Sequence, residues 1–176
     1  KQKTAYEIRN CDWSSDVCSS DLDGFFLLLV APTVEVDPEE VVAKDVILVL
    51  DTSGSMFGEK MDQAQEAARY VVEHLNPQDR FNIVAFSTGT RSFAPELVPA
   101  SEPGNYAGYI ENLEAIGGTN ISQALLEAVN QVDEERPVTI LFLTDGRATE
   151  GIIETPLLLD SIKQAAPPSA RIFAFG

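Results

Sequence analysis

Two short apolar runs do most to limit what this chain can fold into. "DVILVL" (45–50) and "PVTILFLTDG" (137–146) are strand-length and lack the polar alternation of a strand with one wet face. Each therefore reads as a strand covered on both faces. Helical patterns separate and follow them. "KMDQAQEAARYVVEHL" (60–75) puts Met61, Ala64, Ala68, Val71, Val72 and Leu75 on one face, and Asn76-Pro77 stops it. "ISQALLEAVNQV" (121–132) does the same with Ile121, Ala124, Leu125, Ala128, Val129 and Val132. "YAGYIENLEAI" (106–116) is a modest helix and "TPLLLDSIKQAA" (155–166) another. Further strands are expected at "DGFFLLLVAP" (23–32), "RFNIVAFS" (80–87) and "RIFAFG" (171–176). "RSFAPEL" (91–97) carries a proline and belongs at a sheet edge. The acidic "TVEVDPEEVVAK" (33–44) connects the first two strands. Such alternation predicts an α/β fold, a doubly wound, mostly parallel sheet with helices on both faces. No internal repeat is visible.

Composition removes several function classes. The 176 residues, 44% hydrophobic and 23% charged, have the size and balance of one globular domain. A formal charge of −16 argues against nucleic acid as a partner, because a phosphate backbone calls for a basic footprint. No apolar run approaches the roughly 20 residues of a membrane-spanning helix. The polar start, Lys1–Asn10, leads into no apolar core segment of the kind a secretion signal needs.

Oxygen-bearing side chains gather where such a sheet binds ligands, beyond the carboxyl ends of the strands at the point where the winding reverses. Asp51 ends the first apolar strand, and Ser53 and Ser55 follow at alternate positions. Asp145 ends the other apolar strand. "GGTNISQ" (117–123) precedes the strongest helix; Asn120 and Gln123 have capping-box spacing, which leaves Thr119 free. Taken singly, each is ordinary turn or cap chemistry. Taken together, Asp51, Ser53, Ser55, Thr119 and Asp145 form an all-oxygen set suited to a hard divalent cation. Magnesium is the expected ion, with manganese or calcium as alternatives. Two carboxylates neutralise its charge without making the site anionic, so an outside carboxylate can still add.

The pattern D-x-S-x-S, a later Gly-Gly-Thr loop and a later Asp-Gly after an apolar strand resembles the von Willebrand factor type A domain. The resemblance spans essentially residues 23–176. It implies a metal-ion-dependent adhesion site in which Ser53, Ser55 and Thr119 bind magnesium through hydroxyls. Asp51 and Asp145 would bind directly or through water, and an Asp or Glu of a protein partner would complete the shell. "FFLLLVAP", "KDVILVLDTSGSM", "GEKMDQA" and "NPQDRFNIVAFST" are similar to the branch holding the inter-alpha-trypsin inhibitor heavy chains and their bacterial relatives. That branch implies an extracellular or cell-envelope setting, and a preceding companion domain, VIT, that is absent from these residues. Residues 45–176 would form the type A domain, with the last helix and strand of the family expected beyond Gly176.

Other readings are weaker. "GSMFGEK" (54–60) has its glycines too close for a phosphate loop, and no Lys-Ser/Thr follows the second. "DTSGSMFGEKMD" (51–62) has Met56 where a calcium loop needs glycine. A hydrolase using Asp51 as nucleophile is the main rival; phosphatases of that kind want a second acid where Ser53 stands. A scaffold in an ATP-driven assembly is a third. The single histidine, His74, falls in a last helical turn, and no His, Lys or further acid is placed by the sequence to move protons. No catalytic residue is assigned, and a non-enzymatic binding module is expected.

Residues 1–22 stand apart. "KQKTAYEIRNCDWSSDVCSSDL" has neither helical nor strand periodicity. It resembles a translated short-read sequencing adapter: AAG CAG AAG ACG GCA TAC GAG encodes Lys1–Glu7, and GAC TGG AGT TCA GAC GTG TGC TCT TCC GAT encodes Asp12–Asp21. Cys11 and Cys18 therefore carry no information on redox compartment. Deleting residues 1–22 should leave the thermal midpoint of the remaining chain unchanged; a clear drop in that midpoint would show that the segment is part of the fold.

Overall fold

Strand β1 (Asp45–Asp51) is the centre of the sheet, buried at all seven positions. The structure is a computed structural model that describes residues 42–133 and 135–176. The adapter-like segment, the strand expected at 23–32 and the connector up to residue 41 lie outside the described residues. After β1 come a 3-10 turn (Gly54–Met56), α1 (Glu59–Glu73), β2 (Arg80–Phe86), β3 (Thr90–Ser92), β4 (Val98–Pro99) and α2 (Tyr106–Glu111). Then follow α3 (Ile121–Asn130), β5 (Val138–Leu143), α4 (Thr155–Ala165) and β6 (Ala170–Phe175).

The strand order is β3-β2-β1-β5-β6, with β4 also on β2. β1 pairs in parallel with β2 and with β5, and β5 in parallel with β6. Only β3 and β4 run antiparallel. The winding therefore reverses between β1 and β5, which end side by side. Alternate residues of β1 feed two cores. Val46, Leu48 and Leu50 pack with Met61, Ala64, Ala68 and Val72 of α1 and Ile110 of α2. Ile47 and Val49 pack with Ala124, Leu125, Ala128 and Val129 of α3 and Ile162 of α4. Each Val, Leu, Ile or Met side chain among these contributes about 1.5–3 kcal/mol on leaving water. The doubly wound arrangement with helices on both faces is thus the one the sequence predicts.

Two expectations need correction. β5 is not covered on both faces: Val138, Ile140 and Phe142 are buried, whereas Thr139, Leu141 and Leu143 are half-buried. Helix α1 lies over β1 and β2, and among the described residues no helix extends that layer across β5 and β6. Helix α2 stops at Glu111, where the Asn112 side chain donates to the Gly108 carbonyl at 2.6 Å and helps end it. The proline-bearing segment 91–97 lies at the sheet edge as expected, running from β3 towards β4. There the side chain of Asn82, fully buried, substitutes for a strand: its amide donates to Ala94 O (2.8 Å) and its carbonyl accepts from Ala94 N (3.1 Å).

The amino end of the sheet is closed by ion pairs. Buried Asp45 takes two bonds from Arg80, at 2.9 and 2.6 Å, and Arg80 also reaches Asp133 at 3.0 Å. Buried Asp79 accepts from the Lys44 and Asn76 amides, at 3.0 and 2.9 Å, and pairs with the Lys44 ammonium at 3.2 Å. Burial pushes its carboxyl up, but these bonds together outweigh burial and hold it below its ordinary value. A lowered folded value means stabilisation that is present at neutral pH and lost as the pH falls from about 4 through that value. Asp79→Ala should therefore cost about 1–3 kcal/mol in urea unfolding at pH 7, with the difference from wild type shrinking towards pH 3. An equal difference at both pH values would show that Asp79 does not act through its charge.

Candidate metal centre

Asp51 is the last residue of β1, and it is buried as a charge-bearing group must not be unless donors meet it. Two do. The Ser53 amide donates to Oδ1 at 2.7 Å, and the Thr144 hydroxyl donates to Oδ2 at 2.5 Å. The first bond is the turn chemistry that an Asp at this place provides by itself. The second comes from the neighbouring strand: Leu50 and Leu143 are in register, so Thr144 arrives beside Asp51.

The two serines do not serve as helix caps. Ser53 precedes the 3-10 turn without capping it by its side chain, and α1 is preceded by Gly58, which has none. Instead the Ser55 hydroxyl donates to Asp145 Oδ1 at 2.7 Å, across 90 residues of sequence, and the Ser53 and Ser55 oxygens lie 3.0 Å apart. Since a hydroxyl has one proton and that of Ser55 goes to Asp145, Ser53 donates to Ser55. Ser53 is buried, Ser55 is exposed and Asp145 is intermediate, so the chain of oxygens runs from the interior to the surface.

Thr119 is held by its main chain. Its amide donates to the Thr149 hydroxyl at 2.8 Å, and its carbonyl accepts from the amides of Thr149 and Glu150 at 2.9 and 3.2 Å. The residue as a whole is buried, but its hydroxyl oxygen is not among the buried side-chain atoms that lack a partner. The loop is tied to the Asp51 turn by Gly54 N to Gly117 O (3.1 Å) and Ile116 N to Thr52 O (2.8 Å). Gly117 has φ 92°, which disfavours a side chain, and a Cβ on Gly118 would collide with the Glu150 carboxylate. Asn120 caps α3 as expected, accepting from Gln123 N at 3.2 Å. The reciprocal half of the capping box is replaced, because the Asn120 amide goes to Ser87 O at 2.8 Å.

Of the five sequence-predicted residues, the structure thus joins Ser53, Ser55 and Asp145 in one hydrogen-bonded chain and anchors Asp51 to the same turn. Thr119 sits on an adjoining loop without a hydrogen bond to the other four. Sequence reasoning missed Thr144, although its place before Asp145 on a parallel neighbour of β1 follows from register. It also missed Lys60, which it did not place beside the site. Lys60 Nζ lies 2.5 Å from Asp145 Oδ2 and 3.4 Å from Ser55 O. That ammonium, then the Ser55 hydroxyl, holds the Asp145 carboxyl below its ordinary value against the opposing effect of partial burial. His74 is remote from this chemistry, its Nδ1 on Tyr70 O at 2.7 Å and its ring stacked on Tyr70.

The donor set fits a hard cation by its chemistry. Every candidate atom is oxygen, and a cation already sits on Asp145. No group of three or more His, Cys, Asp or Glu suited to a metal occurs among the described residues, so hydroxyls and water would have to make up the shell.

Comparisons with known proteins agree with this architecture. The family model described as von Willebrand factor type A domain matches residues 46–147. Inter-alpha-trypsin inhibitor heavy chain H4 of Homo sapiens is 35% identical over 165 residues, covering 88% of this chain and 17% of that protein. The Bos taurus heavy chain H4 is 34% identical, with 88% and 18% covered. This chain thus spans less than a fifth of the curated relatives it matches. A solved von Willebrand factor type A structure from Catenulispora acidiphila superposes with a TM-score of 0.65 at 27% identity, covering 76% of this chain and 32% of that one.

Thr144→Val should remove the bond to a buried carboxylate and cost about 1–3 kcal/mol in metal-free urea unfolding, with Thr144→Ser close to wild type. Equal stability of the valine and serine variants would remove Thr144 from the support of Asp51.

Proposed function

The chain belongs to the von Willebrand factor type A domain family, and from that premise we propose that it is a magnesium-dependent protein-binding module. Its partner presents an Asp or Glu carboxylate. Asp51, Ser53, Ser55, Thr119 and Asp145 hold the ion, directly or through water, with manganese or calcium able to replace magnesium. The observation that carries this reading is the oxygen chain from Ser53 through Ser55 to Asp145, next to a buried Asp51. When bound, the ion supplies an electrophilic point for an anionic oxygen. The residues of the chain do the rest. The Ser53 amide and Thr144 fix the Asp51 carboxylate, and the Gly117–Gly118 turn presents Thr119.

The site supports binding better than turnover. The one histidine is engaged elsewhere, and the one ammonium at the site is spent on Asp145. A hydrolase using Asp51 as nucleophile would need that carboxylate exposed to attack, whereas both its oxygens accept hydrogen bonds and the residue is buried. The net charge of −16 disfavours nucleic acid and diffuse polyanions; directional coordination can offset that repulsion for one carboxylate on a matched surface. An extracellular or cell-envelope setting is the one in which such a module fits the heavy-chain relatives. No helix among the described residues is long and apolar enough to cross a membrane.

Magnesium should raise the melting temperature, because the site exists only in the folded chain. That rise should vanish on Asp51→Ala, shrink on Ser53→Ala or Thr119→Ala, and persist on His74→Ala. Chelator should abolish capture of a carboxylate-bearing partner, and no aryl phosphate or peptide should be turned over with metal present. Metal binding by Asp51→Ala equal to wild type would sink the ligand set. Turnover lost on Asp51→Asn would favour the hydrolase.

A further inference from the structure

Lys60 is in the wrong place for the helix that carries it. It is the second residue of α1, where the amino-terminal end of the helix dipole disfavours a cation. The acids of that first turn, Glu59 and Asp62, sit where the dipole favours them. Glu59 does not pair with Lys60; its carboxylate accepts from Gln63 at 3.2 Å. Among the described residues the ion-pair partner of Lys60 is Asp145, 85 residues away in sequence. A local account of Lys60 in the helix is therefore lacking, and its reason for being there lies across the site.

Its reach is specific. Nζ touches Asp145 Oδ2, and the carbonyl of Ser55 is 3.4 Å from the same atom. The other carboxylate oxygen, Oδ1, accepts from the Ser55 hydroxyl. Both oxygens of Asp145 are thus engaged by groups of this chain, one hydroxyl and one ammonium. A hydroxyl can turn its lone pairs to an incoming ion. An ammonium cannot, since it has donors and no acceptor. A divalent cation that takes Oδ2 comes within a few ångströms of the ammonium, and repulsion between the two positive charges drives the ammonium away. The Lys60 side chain is 57% exposed and that of Asp145 15%, so the lysine is the partner free to leave. A single charge on a flexible four-carbon stem suits that exchange, whereas an arginine would grip the carboxylate with two bonds.

Building on the metal-dependent reading above, we infer that Lys60 is a resident monovalent cation for this site, holding Asp145 in place until a divalent ion displaces it. Two consequences follow. Asp145 keeps its position beside Ser55 without metal, so the oxygen chain is organised before an ion arrives. Metal affinity is set below what the five ligands alone would give, because each binding event breaks an ion pair.

The test is a titration of the full chain with manganese, read by electron paramagnetic resonance and by calorimetry, for wild type, Lys60→Met, Lys60→Gln and Lys60→Arg. Loss of a competing, largely exposed ion pair should tighten manganese binding about two- to fivefold in the methionine and glutamine variants. Lys60→Arg should bind as weakly as wild type or more weakly. The metal-free melting temperature should fall in the neutral variants while the metal-loaded one stays, widening the metal-induced rise. In an Asp145→Asn background, Lys60→Met should change manganese affinity no further. Affinity in Lys60→Met and Lys60→Gln equal to or below wild type, with binding still lost on Asp51→Ala, overturns the role of Lys60 and leaves the metal site standing. Absence of any Asp51-dependent binding in wild type and in both neutral variants overturns the metal reading and this inference with it.

Discussion

Strand β1 is hydrogen-bonded along both edges, to β2 from Asp45↔Arg80 to Asp51↔Phe86 and to β5 from Asp45↔Val138 to Leu50↔Leu143. A strand held on two sides and packed on two faces has no freedom of register, because a slip by one residue would exchange its two cores. Everything at the carboxyl end inherits that rigidity. Asp51 stops where β1 stops, and Thr144 and Asp145 arrive on the adjacent strand. The turn after Asp51 carries Ser53 and Ser55 to meet them. The reversal of winding between β1 and β5 leaves this corner uncovered by either crossover, which is why the polar groups collect there.

The two ends of the sheet handle buried charge differently. At the amino end, Asp45 and Asp79 are met by guanidinium and ammonium groups and by backbone amides. Such pairs are specific and closed, and breaking them leaves an orphaned charge. At the carboxyl end, Asp51 and Asp145 are met by two hydroxyls, one backbone amide and one exposed ammonium among the described residues. Hydroxyls both donate and accept, so the same oxygens can serve the protein or a ligand. The first end stabilises the fold; the second remains chemically open.

Much of this was legible in the sequence. Unbroken apolar runs marked β1 and β5, the three- and four-residue spacing marked α1 and α3, and the oxygen residues stood at the strand ends where open sheets bind ligands. Position at strand ends and loops grouped the five site residues, family resemblance matched the same five, and hydrogen bonding joins Ser53, Ser55 and Asp145 among them. What escaped depends on pairing between distant segments. Thr144 supports Asp51 only because Leu50 and Leu143 are in register. Lys60 faces Asp145 only because the turn after Ser55 brings α1 back across the site. The half-covered state of β5 was hidden too, since an apolar run does not say which helix will lie on it. For Lys60 there was a faint local signal, a cation in the first turn of a helix.

Asn82 gives the sheet a property of a different kind. Its carboxamide presents a donor and an acceptor to Ala94 where the gap between β3 and β4 would otherwise leave main-chain groups bare. It also donates to Gln131 at 2.8 Å, which ties this margin to the end of α3. The outer margin of β2 is therefore a patchwork of two short strands, a proline and a side chain. A foreign strand approaching it in solution finds no continuous template to copy. The interruption at this margin is thus made by one buried, uncharged amide.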